Sequence, residues 1–212
     1  MKVSENGGMD ISVDLVQAYL RINGYLTVTE FEVQRRLDDG TYETATDVDI
    51  IALRLPGGVL PADAQEQGAC QMLEIRDERL LLRPGLIDVI LGEVKEGHAE
   101  FNPGLKRREV LYSVLRRFEW LYGGALDEIV SGVHEKGGVE CPAPGGGTVR
   151  TRLVAFGRSE TSDLHTISLT HVFDALFGYL ERYEVILRPA TYKDPAPGLL
   201  HLLLKTGFRI EK

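Results

Sequence analysis

Two carboxylates and an ammonium stand in this sequence where charge is costly to place. Asp49 leads into the apolar run Ile50-Ile51-Ala52-Leu53, and Glu93-Val94-Lys95 closes the apolar run that begins at Leu86. Burying charge is expensive unless it is paired or bound to a metal. Glu93 and Lys95 are two apart, so on a strand their side chains leave the same face. If the strand carrying Asp49 pairs with or neighbours that strand, the three groups converge at one edge of a sheet. Hard oxygen ligands of this kind suit Mg²⁺, which keeps several waters and accepts phosphate oxygens. A lysine beside it would orient an attacking water and offset charge in the transition state. Asp47, two residues before Asp49 and on the same strand face, competes with it as the ligand.

The elements that must hold these groups follow from periodicity and turn chemistry. The spacing of Leu15, Tyr19 and Ile22, with Val16 beside them, predicts a helix over 12–23. Ser12 is the expected N-cap and Gly24 follows the end. Residues 25–34 read as a strand whose apolar phase slips near Thr29-Glu30, as at a bulge. Asp39-Gly40 lies in a turn longer than two residues. Asp47–Leu55 follows as an antiparallel second strand. Residues 56–71 read as a Gly/Pro-containing surface excursion, and 72–82 as either a short hairpin or a short helix. Leu86–Lys95 is a third strand, apolar on both faces and so covered on both sides. One helix is expected over 102–122, a loop over 135–148, a strand over 148–157, and helices over 167–183 and near 197–205. This mixed order predicts a central sheet covered by helices.

Asp49 followed by IIAL, then Glu93-x-Lys95 at the end of an apolar strand, resembles the PD-(D/E)xK nuclease superfamily. This is the restriction-endonuclease-like group that includes archaeal Holliday junction resolvases. The order helix–strand–strand–strand–helix–strand is also that group's core. The resemblance covers residues 12–157; residues 158–212 form a helical C-terminal elaboration outside it. It implies an α/β fold with a restriction-endonuclease-like central mixed sheet flanked by helices, in a single domain over 1–212. It implies a Mg²⁺-dependent phosphodiester hydrolase acting on DNA, with Mn²⁺ as a substitute ion. Asp49 and Glu93 would bind the metal with the carbonyl of Val94, and Lys95 would position the water. The superfamily often adds an acidic residue from its first helix. Asp14 is the candidate here, but helical spacing turns it away from the buried face, and no role is assigned to it. Val48 stands where the superfamily's proline would precede the aspartate.

Other residues weigh less. In the helix after Lys95, Lys106, Arg107, Arg108, Arg116 and Arg117 do not form one stripe. Lys106 and Arg117, which flank the apolar face, are the expected contacts to a phosphodiester backbone. His98 reads as a loop histidine, and His134, His165, His171 and His201 lack metal-ligand spacing. The PAPGGG segment lacks the Gly-Lys-Ser/Thr ending of a phosphate loop. Trp120 and Tyr122 could stack on bases or pack on the core. Cys70 and Cys141 form no Cys-x-x-Cys pair, which argues against the usual zinc site and a disulfide framework.

The chain has 212 residues and a formal charge of −8. That balance disfavours a protein that coats nucleic acid non-specifically. No apolar run is long enough to span a bilayer, and the first residues show no signal-peptide core, so a cytoplasmic protein without membrane contact is expected. Two rival readings remain open. One is a non-catalytic module binding nucleic acid, metal or protein on the same fold. The other is a partner subunit whose C-terminal helices form an oligomer interface; a homodimer would suit either an enzyme or such a subunit.

Overall fold

The third strand is buried along almost its whole length, as its unbroken apolar run requires, and the rest of the molecule is layered on it. The computed structural model describes residues 10–56, 73–158 and 165–208. In chain order the elements are α1 (Ile11–Ile22), β1 (Leu26–Arg36), β2 (Tyr42–Arg54), β3 (Leu86–Val94), α2 (Arg108–Leu115), α3 (Leu126–Lys136), β4 (Gly138–Pro142), β5 (Thr148–Gly157), β6 (His165–Ser168), α4 (Leu169–Arg182), α5 (Glu184–Leu187) and α6 (Pro195–Lys205). Short 3₁₀ turns occupy Glu78–Leu80 and Arg116–Leu121.

The fold is α/β, with a six-stranded mixed sheet flanked by helices. The strand order is β1-β2-β3-β5-β4, with β6 on the same edge of β5 as β4 but further along it. The β1/β2, β2/β3 and β4/β5 pairs are antiparallel, whereas β3/β5 and β5/β6 are parallel. One face buries Val16, Tyr19 and Leu20 of α1 and Val172, Leu176 and Leu180 of α4 against Ile50, Ile90 and Phe156. The C-terminal helices therefore complete this core, with Leu200 and Leu204 of α6 among its members. The other face buries Val110, Leu111 and Val114 of α2 and Ile129, Val130 and Val133 of α3 against Ile51, Leu91 and Leu153. Among the described residues no helix is long and apolar enough to cross a membrane.

The sequence places most of these elements, with four corrections. The N-cap of α1 is Asp10, not Ser12: its Oδ1 accepts from the amides of Ser12 (2.8 Å) and Val13 (3.3 Å), and Ser12 lies inside the helix. The expected helix over 102–122 starts only at Arg108. The preceding turn seats Gly104 so closely on β2 that a Cβ there would lie 2.8 Å from Thr46 Oγ1, and Pro103 resists helix within it. The expected loop over 135–148 contains β4, with Val139 and Cys141 packed against the core from the edge of β5. The order read from the sequence omits α3, β6 and α5, and the described part of the ambiguous segment, 73–82, holds the 3₁₀ turn Glu78–Leu80 and no strand. The proposed excursion over 56–71, and Cys70 with it, lie almost wholly outside the described residues; Cys141 is a free, half-buried thiol.

No bulge stands at Thr29-Glu30, the expected position: the register of β1 with β2 is constant from Leu26 to Val33. Glu30 adopts φ 53°, in the left-handed region that non-glycine residues seldom enter. The ladder pairs Thr29 with Ile50 and Phe31 with Val48, leaving residue 30 unpaired opposite Asp49, and a register shift follows at Val33/Gln34. Across this point the core-facing parity of β2 switches: Ile51 and Val48 reach the same apolar cluster although they differ by three positions. Asp49 thus sits where the hairpin bends.

Candidate active site

Strands β2 and β3 are paired from Arg54–Asp88 to Ile50–Gly92, and there the ladder stops. Gly92 allows the last close approach: a Cβ at this position would meet Ile50 Cγ2 at 2.3 Å and Phe156 Cε2 at 3.3 Å. One residue further on, the strands part. The Asp49 carboxylate enters the opening and accepts the Val94 amide through Oδ2 at 2.7 Å, doing for that amide what a strand carbonyl does in an unbroken ladder.

Glu93 and Lys95 close the group. Lys95 Nζ lies 2.5 Å from Glu93 Oε1 and 3.9 Å from Asp49 Oδ2. Glu93 is 1% exposed, whereas the Lys95 side chain is 41% exposed and leads out to solvent. The structure therefore brings Asp49, Glu93 and Lys95 together, with Val94 between the last two. Among the described residues Glu93 Oε2, which is buried, has no hydrogen-bond partner. A buried carboxylate oxygen without a donor carries its full desolvation cost.

The electrostatics follow first from burial and then from crowding of carboxylates. Burial raises the pKa of Asp49; the Val94 amide and Lys95 oppose this, while the charges of Asp47 and Asp10 reinforce it. Burial also raises that of Glu93, against the Lys95 hydrogen bond and with Asp49 and Asp47 adding to the rise. Lys95 is partly desolvated, which works against its charge, but Glu93, Asp49 and Asp47 outweigh this and raise its pKa. At neutral pH it is an ammonium, a donor and not a base.

Asp47 is exposed on the rim and acts on the site through its field. Asp14 faces α6, where it accepts the Ala196 amide at 3.4 Å, away from this group. The acidic residue that α1 does bring near is Asp10, its N-cap. Sequence reading passed over it because Ser12 also fits a cap; the Asp followed by an apolar-periodic run was the available signal. Ser12 Oγ in turn donates to Glu96 Oε1 at 3.4 Å, joining the start of α1 to the residue after Lys95.

A divalent cation fits the donor set on one specific ground, the partnerless Glu93 Oε2 beside Asp49. Among the described residues no three His, Cys, Asp or Glu side chains are arranged as a ligand group. The protein would supply few oxygens, leaving the rest to water and phosphate, as Mg²⁺ prefers.

The expected backbone contacts lie on the α2 side of the sheet. Arg117 stacks its guanidinium 4.4 Å over the Phe31 ring, on the strand residue paired with Val48. Lys106 Nζ lies 5.4 Å from the Phe101 ring centre, in the turn that rests on Thr46. Both side chains belong to exposed residues. Arg108 bridges instead to Ser131 and Asp127 of α3. His98 is exposed; His134 and His171 contact the Lys106 carbonyl and Asp77, respectively. Trp120 is 67% exposed, and Tyr122 is buried on Thr151. The PAPGGG segment is the turn from β4 to β5, with Gly146 and Gly147 at positive φ.

Against models of known protein families, curated proteins and solved structures, the chain finds no match. The reading of the site rests on its own geometry.

Proposed function

We propose that this protein is a Mg²⁺-dependent phosphodiester hydrolase of the restriction-endonuclease-like kind, acting on DNA. One observation carries the reading: a buried carboxylate, Glu93, with one oxygen on Lys95 and the other without a hydrogen-bond partner among the described residues, beside a second carboxylate at the split between two central strands. A purely structural carboxylate at this depth would have its lone pairs filled.

Asp49 and Glu93 would hold the ion, with Val94 next to it on the chain; Mn²⁺ suits the same oxygens. When bound, the ion supplies Lewis-acid stabilisation of charge on the phosphoryl oxygens. The chain does the rest. Lys95, kept protonated by Glu93, presents N–H donors at the solvent-facing side of the site, where they orient a water for in-line attack and offset developing negative charge. The Val94 amide fixes Asp49, so its carboxylate need not reorganise. Lys106 and Arg117 offer cations to the flanking phosphates.

Linear, branched and single-stranded DNA incubated with Mg²⁺ or Mn²⁺ test this reading. Hydrolysis is expected, and Asp49→Ala or Lys95→Ala should slow it by about 10²- to 10³-fold or more. DNA retained but uncut by the wild-type chain would favour the non-catalytic module.

A further inference from the structure

The opposite end of the same strands holds the reverse imbalance, an excess of buried cations. Asp88 on β3 is fully buried. Its two oxygens accept from Tyr25, Arg150 and Arg152, which leaves no room for a further donor. Arg54 is the cross-strand partner of Asp88 in the β2/β3 ladder. It is only 6% exposed, yet among the described residues its guanidinium has no carboxylate within 4.0 Å. Its Nε donates to the Asn23 carbonyl at 3.1 Å.

Buried guanidinium groups are ordinarily paired with an anion. Arg54 instead lines a cavity of about 330 Å³, together with Arg76, Arg83, Leu82 and Pro84. Among the described residues, Glu140 and Glu74 are the carboxylates that bear on these arginines besides Asp88. Glu140 pairs with Arg83. Glu74 lies against Gly24 and interacts with Arg54 and Arg76 only through space. Arg54 and Arg76 line this cavity beside Arg83, whose guanidinium is paired with Glu140, and guanidinium groups are the side chains best suited to a phosphoryl oxyanion.

We propose that this cavity is a binding site for a phosphate group. It stands at the far end of β3 from Glu93, five residues and roughly 17 Å away along the strand. It does not depend on the hydrolase reading. Two sources share this chemistry: free phosphate or a mononucleotide, and a phosphate of a nucleic-acid chain.

Calorimetric titration of the full chain, at low salt and with EDTA present, tests it without involving the Asp49–Glu93 site. The probes are inorganic phosphate, a nucleoside monophosphate, and a short single-stranded oligonucleotide with or without a 5′-phosphate. At least one probe should bind. Arg76→Ala and Arg83→Ala, both at exposed positions, should each weaken that binding about tenfold. Preference for the oligonucleotide identifies the nucleic-acid source; preference for the small anions identifies the free one. Absence of binding by every probe, or equal binding in the Arg76→Ala/Arg83→Ala double variant, overturns the proposal.

Discussion

Glu93 and Asp88 lie on one strand, both buried, and are held in opposite ways. Asp88 is surrounded by donors: Tyr25 Oη at 2.5 Å, Arg150 Nε at 2.7 Å and Arg152 Nη2 at 2.7 Å. Glu93 has Lys95 on one oxygen and, among the described residues, no partner on the other. The pKa directions agree with this contrast. Burial pushes Asp88 up, but its arginines hold it below the ordinary range; Glu93 remains above it. The first arrangement ties β3, β5 and the Leu80 carbonyl together. The second is one that folding alone does not favour.

Asp88→Asn should therefore be strongly destabilising, by about 3–5 kcal/mol, since it leaves two buried guanidinium groups without their counter-charge. Because the folded pKa is depressed, the stabilisation is present above the ordinary aspartate value near 4 and is lost as pH falls through the folded value. Urea unfolding of wild type and variant, compared at pH 7 and pH 3, reads this directly: the gap should narrow in acid.

Glu93→Gln should behave in the opposite sense. A raised folded pKa means that the native state binds a proton more readily than the unfolded chain. The penalty of the charge thus grows as pH rises from the ordinary glutamate value through the folded one. At pH 8 the variant should be at least as stable as wild type, by up to about 1–2 kcal/mol, with the advantage vanishing near pH 4. A loss on the scale of Asp88→Asn would mark Glu93 as structural.

Hydrolysis should share this pH dependence. Metal affinity requires Asp49 and Glu93 ionised, so the rate should climb with pH through a limb displaced above the ordinary carboxylate range. Lys95 is held above its usual value by Glu93; an alkaline decline from its titration should appear only above about pH 10.5. A cleavage profile from pH 4 to 10 checks the acidic limb and the absence of any alkaline decline within that range. A decline near neutrality would implicate a different group.

Gly92→Ala tests the positioning of the two strands. The added Cβ would overlap Ile50 Cγ2, at a cost of about 1–3 kcal/mol. The displacement falls on the residue pair adjacent to Asp49 and Glu93, so hydrolysis should fall further than stability does. Thermal unfolding and single-turnover cleavage on the same sample separate the two effects.

The strands that carry the site were legible because their apolar runs were long and bounded by turns. The convergence of Asp49, Glu93 and Lys95 followed from the two-residue period of β3 and the antiparallel hairpin. What escaped the sequence had weaker local signals. The edge strand β4 has five residues, including a glycine and a proline, and only Val139 and Cys141 join the core. β6 has four residues. The helix α3 carries a clear stripe of Leu126, Ile129, Val130 and Val133, but it follows two glycines and falls between segments read as helix and loop. The Asp88 cluster joins residues 62 and 64 positions apart, and no local pattern links them. The position of Arg54 beside an Asp88 already filled by Tyr25, Arg150 and Arg152 is a tertiary relationship with no local signature.

Calorimetric titration of Mn²⁺ or Mg²⁺ into the metal-free chain at pH 7.5 tests the central claim most directly. The account predicts one saturable site, present in wild type and lost in Glu93→Gln while that variant remains folded. No saturable binding, or equal binding in Glu93→Gln, would contradict it.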